Sequence, residues 1–298
     1  MERFLSTGSS DAEMAWMDET QPTDAPNDNY ELLDSGGGRV LEKWGPVICA
    51  RPGQQIWWRR KLGGAEWKKA LDLKRDVKEP VKVRFGKLVF LIGGPGGSPR
   101  ALGPELRESW DRVTAMCSAF TTKMRRPARV LHLFGGVGGH TLAAALGGAS
   151  VAHVEAHQES LSRARENASL NATALASRDI RWVLDDPVKF AQREKAQNAR
   201  HDLVIVDPHS SREAKHGFEP ERDLAALIAT ASGLLSDTPL GLVVVCRQGN
   251  LSPTTLQNLL KHELSIFGGR FECGELLLRG AESVPPVACG TFGVWQKA

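Results

Sequence analysis

The feature that most constrains this chain is a regular alternation that begins at residue 129. Short apolar, β-rich runs recur at 129–134, 151–155, 180–184, 202–207 and 240–246. Between them lie segments of helical character near 139–148, 157–171, 187–197, 221–235 and 252–264. Strands that alternate with helices bury both faces as a parallel sheet covered by helices on its two sides. Ser252-Pro253 is a typical helix start, with a hydroxyl N-cap and proline in the first turn. Two more strand candidates, 270–278 and 288–295, follow with no helix between them, so the sheet should end in an antiparallel hairpin. The expected fold class is α/β: a Rossmann-like, seven-stranded, mostly parallel sheet ending in that hairpin. A plain dinucleotide-binding fold does not predict the hairpin.

Upstream of the alternation the pattern changes. A helix is expected over about 104–124, and a flexible break at Gly93-Gly94-Pro95-Gly96-Gly97. Residues 81–92 alternate as Val81, Val83, Phe85 and Leu88, Phe90, Ile92 around Gly86-Lys87, which is a hairpin signal. Residues 1–28 hold seven acids and one base, and they lack apolar periodicity. The expected organisation is a disordered acidic tail over 1–28, a small β-rich region over 29–98 and a cofactor-binding domain over 99–298. The whole chain carries +3, so its body beyond the tail is basic, which suits a nucleic-acid partner such as RNA. Six of the eight tryptophans precede residue 111; they are read as the core of a small β unit rather than as a stacking surface. The five cysteines are scattered without a C-x-x-C pair, so neither a metal site nor a disulfide framework is expected. No apolar run approaches the roughly 20 residues that span a bilayer. These features suggest a cytoplasmic or other reducing compartment, without secretion.

Four segments could carry chemistry. The first is Val130 to Thr141, in which a buried strand enters Phe134-Gly135-Gly136-Val137-Gly138 and then a helix. Glycine is required where backbone approaches a ligand closely, and a helix N-terminus attracts anionic groups. The second is Glu155-Ala156, which closes the strand about 20 residues after the turn, where an acid can accept from both hydroxyls of a ribose. The third is Asp185-Asp186, after the third strand of the alternation. Asp186 is the first choice for accepting from an adenine amino group, Asp185 is the alternative, and a helix N-cap is the competing role. The fourth is Asp207-Pro208-His209-Ser210, at the carboxyl end of a central strand, where open α/β sheets bind ligands.

These residues resemble a family. Residues 130–211 look like the bacterial class I methyltransferases that use S-adenosyl-L-methionine (AdoMet), and in particular the 23S rRNA cytosine-C5 methyltransferase-like group. Ala164-Arg165-Glu166-Asn167-Ala168-Ser169-Leu170-Asn171 is similar to that group's helix after the ribose acid. Ile180 through Glu194, Pro104-Glu105 followed by Trp110-Asp111, and the ending Cys289-Gly290-Thr291-Phe292 with Trp295 are similar too. The resemblance implies a methyltransferase sheet, AdoMet as cofactor and an RNA substrate. It places Gly138, Glu155, Asp186 and Asp207 near the cofactor, and Phe134, Gly135, Gly136, Ala156 and Asp185 stand beside them as further cofactor-binding candidates. Three positions depart from the pattern: His132 replaces Asp or Asn, Leu106 replaces Gln, and His209 stands where a second proline is usual.

The candidate catalytic residues are Cys246, Asp207 and His209. Methylation at cytosine C5 needs a thiolate that first adds to C6; Cys246 closes the strand 242–245, beside Arg247, which could lower its pKa. Methylation at nitrogen or oxygen needs only alignment and a base, for which His209 is available. Two other expectations stand beside these. One is a catalytically degenerate protein of the same fold that binds RNA or a ribonucleoprotein. The other is an NAD-dependent oxidoreductase, which would share Gly138 and Glu155.

Overall fold

A computed structural model of the chain describes residues 28–72, 76–94, 102–176, 178–208, 218–247 and 251–297. Residues 1–27 of the acidic tail, most of the glycine-proline break and His209 lie outside the described residues. The N-terminal part contains strands β1 (Tyr30–Gly36), β2 (Arg39–Trp44) and β3 (Val47–Pro52), a short helix α1 (Gly64–Lys68), and strands β4 (Val81–Phe85) and β5 (Leu88–Ile92). β1, β2 and β3 form one antiparallel sheet, and β4 and β5 form the expected hairpin, with Phe85 opposite Leu88.

A 3-10 turn at Pro104–Leu106 leads into α2 (Arg107–Met124). The alternation follows as β6 (Arg129–Leu133), α3 (Gly139–Leu146), β7 (Ser150–Glu155), α4 (Gln158–Leu170), α5 (Ala172–Leu175), β8 (Ile180–Leu184), α6 (Pro187–Ala196), β9 (Leu203–Val206), α7 (Pro220–Ser232), β10 (Gly241–Cys246) and α8 (Pro253–Leu264). β11 (Arg270–Leu278) and β12 (Val287–Gln296) complete one seven-stranded sheet in the order β11-β12-β10-β9-β6-β7-β8. The pairs from β10 to β8 are parallel, and β12 runs antiparallel to both neighbours. The expected fold class is thus observed, with β12 inserted between β10 and β11.

Each sheet face has its own core. Val130, Val151, Leu203, Ile205, Val243 and Val245 pack with α2, α3 and onward to Phe85, Phe90 and Trp44 of the N-terminal part. Leu131, Leu133, Val204, Val206, Leu242 and Val244 pack with Phe190, Leu227, Leu260 and neighbours from α6, α7 and α8. The first core therefore crosses the expected boundary at 98/99 without a break. Two asparagines reinforce the junction. Asn167 accepts from Leu91 N at 2.9 Å, and Asn171 accepts from Val89 N at 2.9 Å while donating to Val89 O at 2.7 Å. Side-chain amides thus satisfy backbone groups along β5 that would otherwise need another strand. Asp28, the last residue of the acidic stretch, is already ion-paired with Arg107 at 2.8 Å. Among the described residues no helix is long and apolar enough to cross a membrane.

Candidate functional site

The order of the chain reverses between β6 and β9: β7 and β8 lie on one side of β6, and β10 lies beyond β9 on the other. Such a switch point opens a crevice at the carboxyl ends of the strands. The residues flanking it are His132 in β6, Phe134 just after β6 and Asp207 just after β9.

The glycine turn is built for packing as well as for approach. Gly138 is the N-cap of α3 with φ +96, a conformation that favours glycine. A Cβ on Gly135 would lie 2.3 Å from the His153 ring. Phe134 adopts φ +60 and packs against Phe218 at 5.2 Å between centroids. Glu155 is 1% exposed, and its two oxygens accept from Gly136 N at 2.9 Å and His157 N at 2.8 Å. The acid expected to face a ribose therefore also ties β7 to the glycine turn. Ala156 beside it is exposed.

Three buried histidines surround the turn. The Thr141 hydroxyl lies 2.7 Å from His132 Nδ1 and 2.8 Å from His153 Nδ1. One hydroxyl has one proton, so it can donate to at most one of the two rings. His140 Nε2 meets Ser109 Oγ at 2.8 Å, while its Nδ1 lies 3.4 Å from Asp207 Oδ2. His132, which stands at the departure from the family pattern, is thus tied to Thr141 of the following helix.

Asp207 ends a chain of buried and half-buried charges. Arg247 Nη2 is 3.5 Å from Asp207 Oδ1, and Arg247 Nη1 is 3.9 Å from Glu105 Oε1. Arg51 Nη2 is 3.8 Å from Glu105 Oε2, and Arg51 pairs bidentately with Glu42 at 2.8 and 3.0 Å. Burial alone would raise the Asp207 carboxyl; Arg247, then the hydrogen bond and charge of His140 and the charge of His132, override it and hold the group well below the usual range. Asp207 is therefore a carboxylate at neutral pH. His132, His140 and Asp207 offer three potential ligand atoms within 4.8 Å of one another. The Arg247 guanidinium beside Asp207 already supplies positive charge there and opposes a second cation.

Asp185 and Asp186 sit at the sheet's far flank. Asp186 caps α6, accepting from Val188 N at 2.9 Å and Lys189 N at 3.0 Å, and Asp185 is ion-paired with Arg193. The competing N-cap role is therefore present for Asp186. Cys246 ends β10 and is 1% exposed. Strand pleat places it on the face of Leu242 and Val244, opposite the face of Val243 and Val245. Asp207 continues the parity of Leu203 and Ile205, on the same face as Val243 and Val245. The sheet thus brings Glu155, the glycine turn and Asp207 to its carboxyl edge around the switch point, holds Asp185-Asp186 at its flank, and turns Cys246 toward the other face. The sequence reading missed His140 and Arg51 as parts of the site and gave Arg247 a role toward Cys246 rather than toward Asp207; the three are far apart in the chain and form no local pattern.

Strand order, terminal hairpin and switch-point crevice together define the class I AdoMet-dependent methyltransferase fold. In particular, the chain is similar to an Agrobacterium tumefaciens SAM-dependent methyltransferase, with a TM-score of 0.80, 25% identity and 91% of each chain covered. It also shares the fold of a Streptococcus mutans SAM-dependent methyltransferase, at TM-score 0.67 and 13% identity, over 90% of this chain and 75% of that one. Among curated proteins it resembles the ribosomal RNA large subunit methyltransferase I of Enterobacter sp. (strain 638), 29% identical over 39% of this chain and 31% of that protein. The Klebsiella pneumoniae (strain 342) protein of the same name is 30% identical over 36% of this chain and 28% of its own length. The chain thus spans less than a third of the length of these curated relatives. No model of a known protein family matches it.

Proposed function

We propose that this protein transfers a methyl group from AdoMet to RNA, with a ribosomal-RNA-like substrate. The observation that carries the reading is the ordered set of acids along one sheet edge, Glu155, Asp185-Asp186 and Asp207, around a glycine turn at the switch point. This donor set fits the cofactor. Glu155 would accept from the ribose hydroxyls, Asp186 (or Asp185) from the adenine amine, and Asp207 would face the cationic end. Phe134, Gly135, Gly136, Gly138 and Ala156 would form the walls. AdoMet supplies an electrophilic sulfonium methyl; the chain's part is to align the acceptor and exclude water. The pleat that turns Cys246 away from Asp207 favours an acceptor that needs no thiolate, so a Cys246→Ser variant is expected to retain transfer.

A second reading, a binding protein without catalysis, draws on one observation: imidazoles of His132, His140 and His153 pack the space behind the turn. Calorimetry separates the two. Micromolar AdoMet binding, weakened at least tenfold in Glu155→Ala, supports the transferase; no binding at millimolar AdoMet sinks it and leaves the second reading. Preference for NADH over AdoMet would instead point to an oxidoreductase.

A further inference from the structure

The N-terminal part carries a feature that the cofactor crevice does not use. Trp57 is 88% exposed, whereas every other described tryptophan is buried or half-buried. Exposing an indole forgoes burial of roughly 150–250 Å² of apolar surface. Single exposed apolar residues are ordinary, but this one sits on a rigid, charged mount.

The mount is built on Asp34, which is 1% exposed. Its carboxylate accepts from Lys61 N at 3.1 Å, Leu62 N at 2.9 Å and Trp67 Nε1 at 3.0 Å. Gly38 N donates to Ile56 O at 2.9 Å and Gly37 N to Trp58 O at 2.8 Å, so the backbone on both sides of Trp57 is tied to the β1–β2 turn. Ile56 is buried at 2%, and Trp58 Nε1 donates to Ser35 O at 3.0 Å. The flanking side chains are thus anchored inward, and Trp57 is left facing outward. Arg59, Arg60, Lys61, Lys68 and Lys69 are exposed along the same stretch, against one exposed acid, Glu66. Arg60 stacks at 4.0 Å over the Trp67 ring.

The mount also stands on the side of the crevice. Cys246 at the carboxyl end of β10 pairs with Thr291 of β12, so β12 begins beyond that edge, and the 279–286 turn projects from it. Lys61 Nζ bonds Ser283 O in this turn. Gly280 of the turn comes so close to β1 that a Cβ there would lie 2.6 Å from Leu32 O. Arg51, six residues before Trp57, belongs to the charge chain that ends on Asp207.

We infer that Trp57, with Arg59, Arg60 and Lys61, is a docking platform for single-stranded RNA leading to the crevice. The indole would stack on a base, and the cations would follow the phosphates. The charge argues for a polyanion, and a lone, rigid, outward indole argues for unpaired bases, which present a π-face that a duplex hides. The inference rests on the RNA reading above and names the surface for it.

The test is fluorescence anisotropy of the full chain with a labelled 12-nucleotide single-stranded RNA, beside calorimetry with AdoMet alone. Trp57→Ala is expected to weaken RNA binding about five- to 100-fold and leave AdoMet binding unchanged. Trp57→Phe should recover most of the loss. Ile266→Ala, which removes another strongly exposed apolar side chain (82%), should change nothing. Equal RNA affinity in Trp57→Ala and wild type overturns the platform. Absence of RNA binding in a wild-type chain that binds AdoMet also overturns it and leaves the cofactor site standing. RNA binding through Trp57 without AdoMet binding keeps the platform and removes the transferase.

Discussion

Two buried aspartates bracket the same strand: Asp202 precedes β9 and Asp207 follows it. Asp202 is tightly held. Arg126 donates to it twice, at 2.6 and 3.0 Å, Arg129 N donates at 2.8 Å and Ser236 Oγ at 2.9 Å. Asp207 faces charges that stand farther off, His140 Nδ1 at 3.4 Å and Arg247 Nη2 at 3.5 Å. The amino end of the strand is a closed structural joint. At the carboxyl end Asp207 is held as a carboxylate mainly by the charge of Arg247 and by the hydrogen bond and charge of His140. That asymmetry follows the general rule that parallel sheets bind ligands at their carboxyl edge.

The largest expected effect lies at the joint. Asp202→Ala strips Arg126, Arg129 N and Ser236 of one shared acceptor and should cost about 3 kcal/mol of stability, tempered by the partial exposure of Arg126. Urea denaturation reads the loss, and AdoMet affinity of the folded variant should be unchanged. A loss of only about 1–2 kcal/mol, the size expected at Asp207, would show that the two ends are held alike.

Asp207→Asn should reverse the pattern, with about 1–2 kcal/mol lost, because Glu105 still faces Arg247, and methyl transfer abolished. The variant also carries a pH signature. Burial opposes, but the charges around Asp207 outweigh it and hold the carboxyl below its ordinary 3.8. A depressed carboxyl contributes stability that is complete above about pH 3.8 and lost as pH falls through the folded-state value. Wild type and Asp207→Asn should therefore differ at pH 6 and converge in strong acid. A difference independent of pH would mean that Asp207 is not held as a charge.

The sheet was legible because period and order are local properties. Apolar runs at 129–134 and 202–207, each ending in a loop, report strands without reference to the rest of the chain. The acids at 155 and 207 were legible for the same reason: they sit where a strand stops. The joints were not. Asn167 and Asn171 belong to a segment that was matched to the family, yet their bonds to Val89 and Leu91 depend on how a distant hairpin docks. The Glu42, Arg51, Glu105, Arg247 and Asp207 chain draws on five separate segments, and no spacing announces it. Trp57 reads like the other early tryptophans in the sequence. Only the inward anchoring of Ile56 and Trp58 separates it from the core that those tryptophans were expected to form.

The smallest effect falls at the flank, where one residue holds two roles. Asp186 caps α6 and is the proposed adenine acceptor. Asp186→Ala would remove both, costing about 1 kcal/mol from the cap alone, and could not tell them apart. Asp186→Ser can, because serine caps a helix about as well as aspartate but its hydroxyl is shorter and uncharged. Thermal denaturation should place Asp186→Ser within a few tenths of a kcal/mol of wild type, while calorimetry should show AdoMet bound several-fold more weakly. If both quantities stay at the wild-type value, Asp186 is a cap alone. The adenine contact then passes to Asp185, whose ion pair with Arg193 would have to open to admit it.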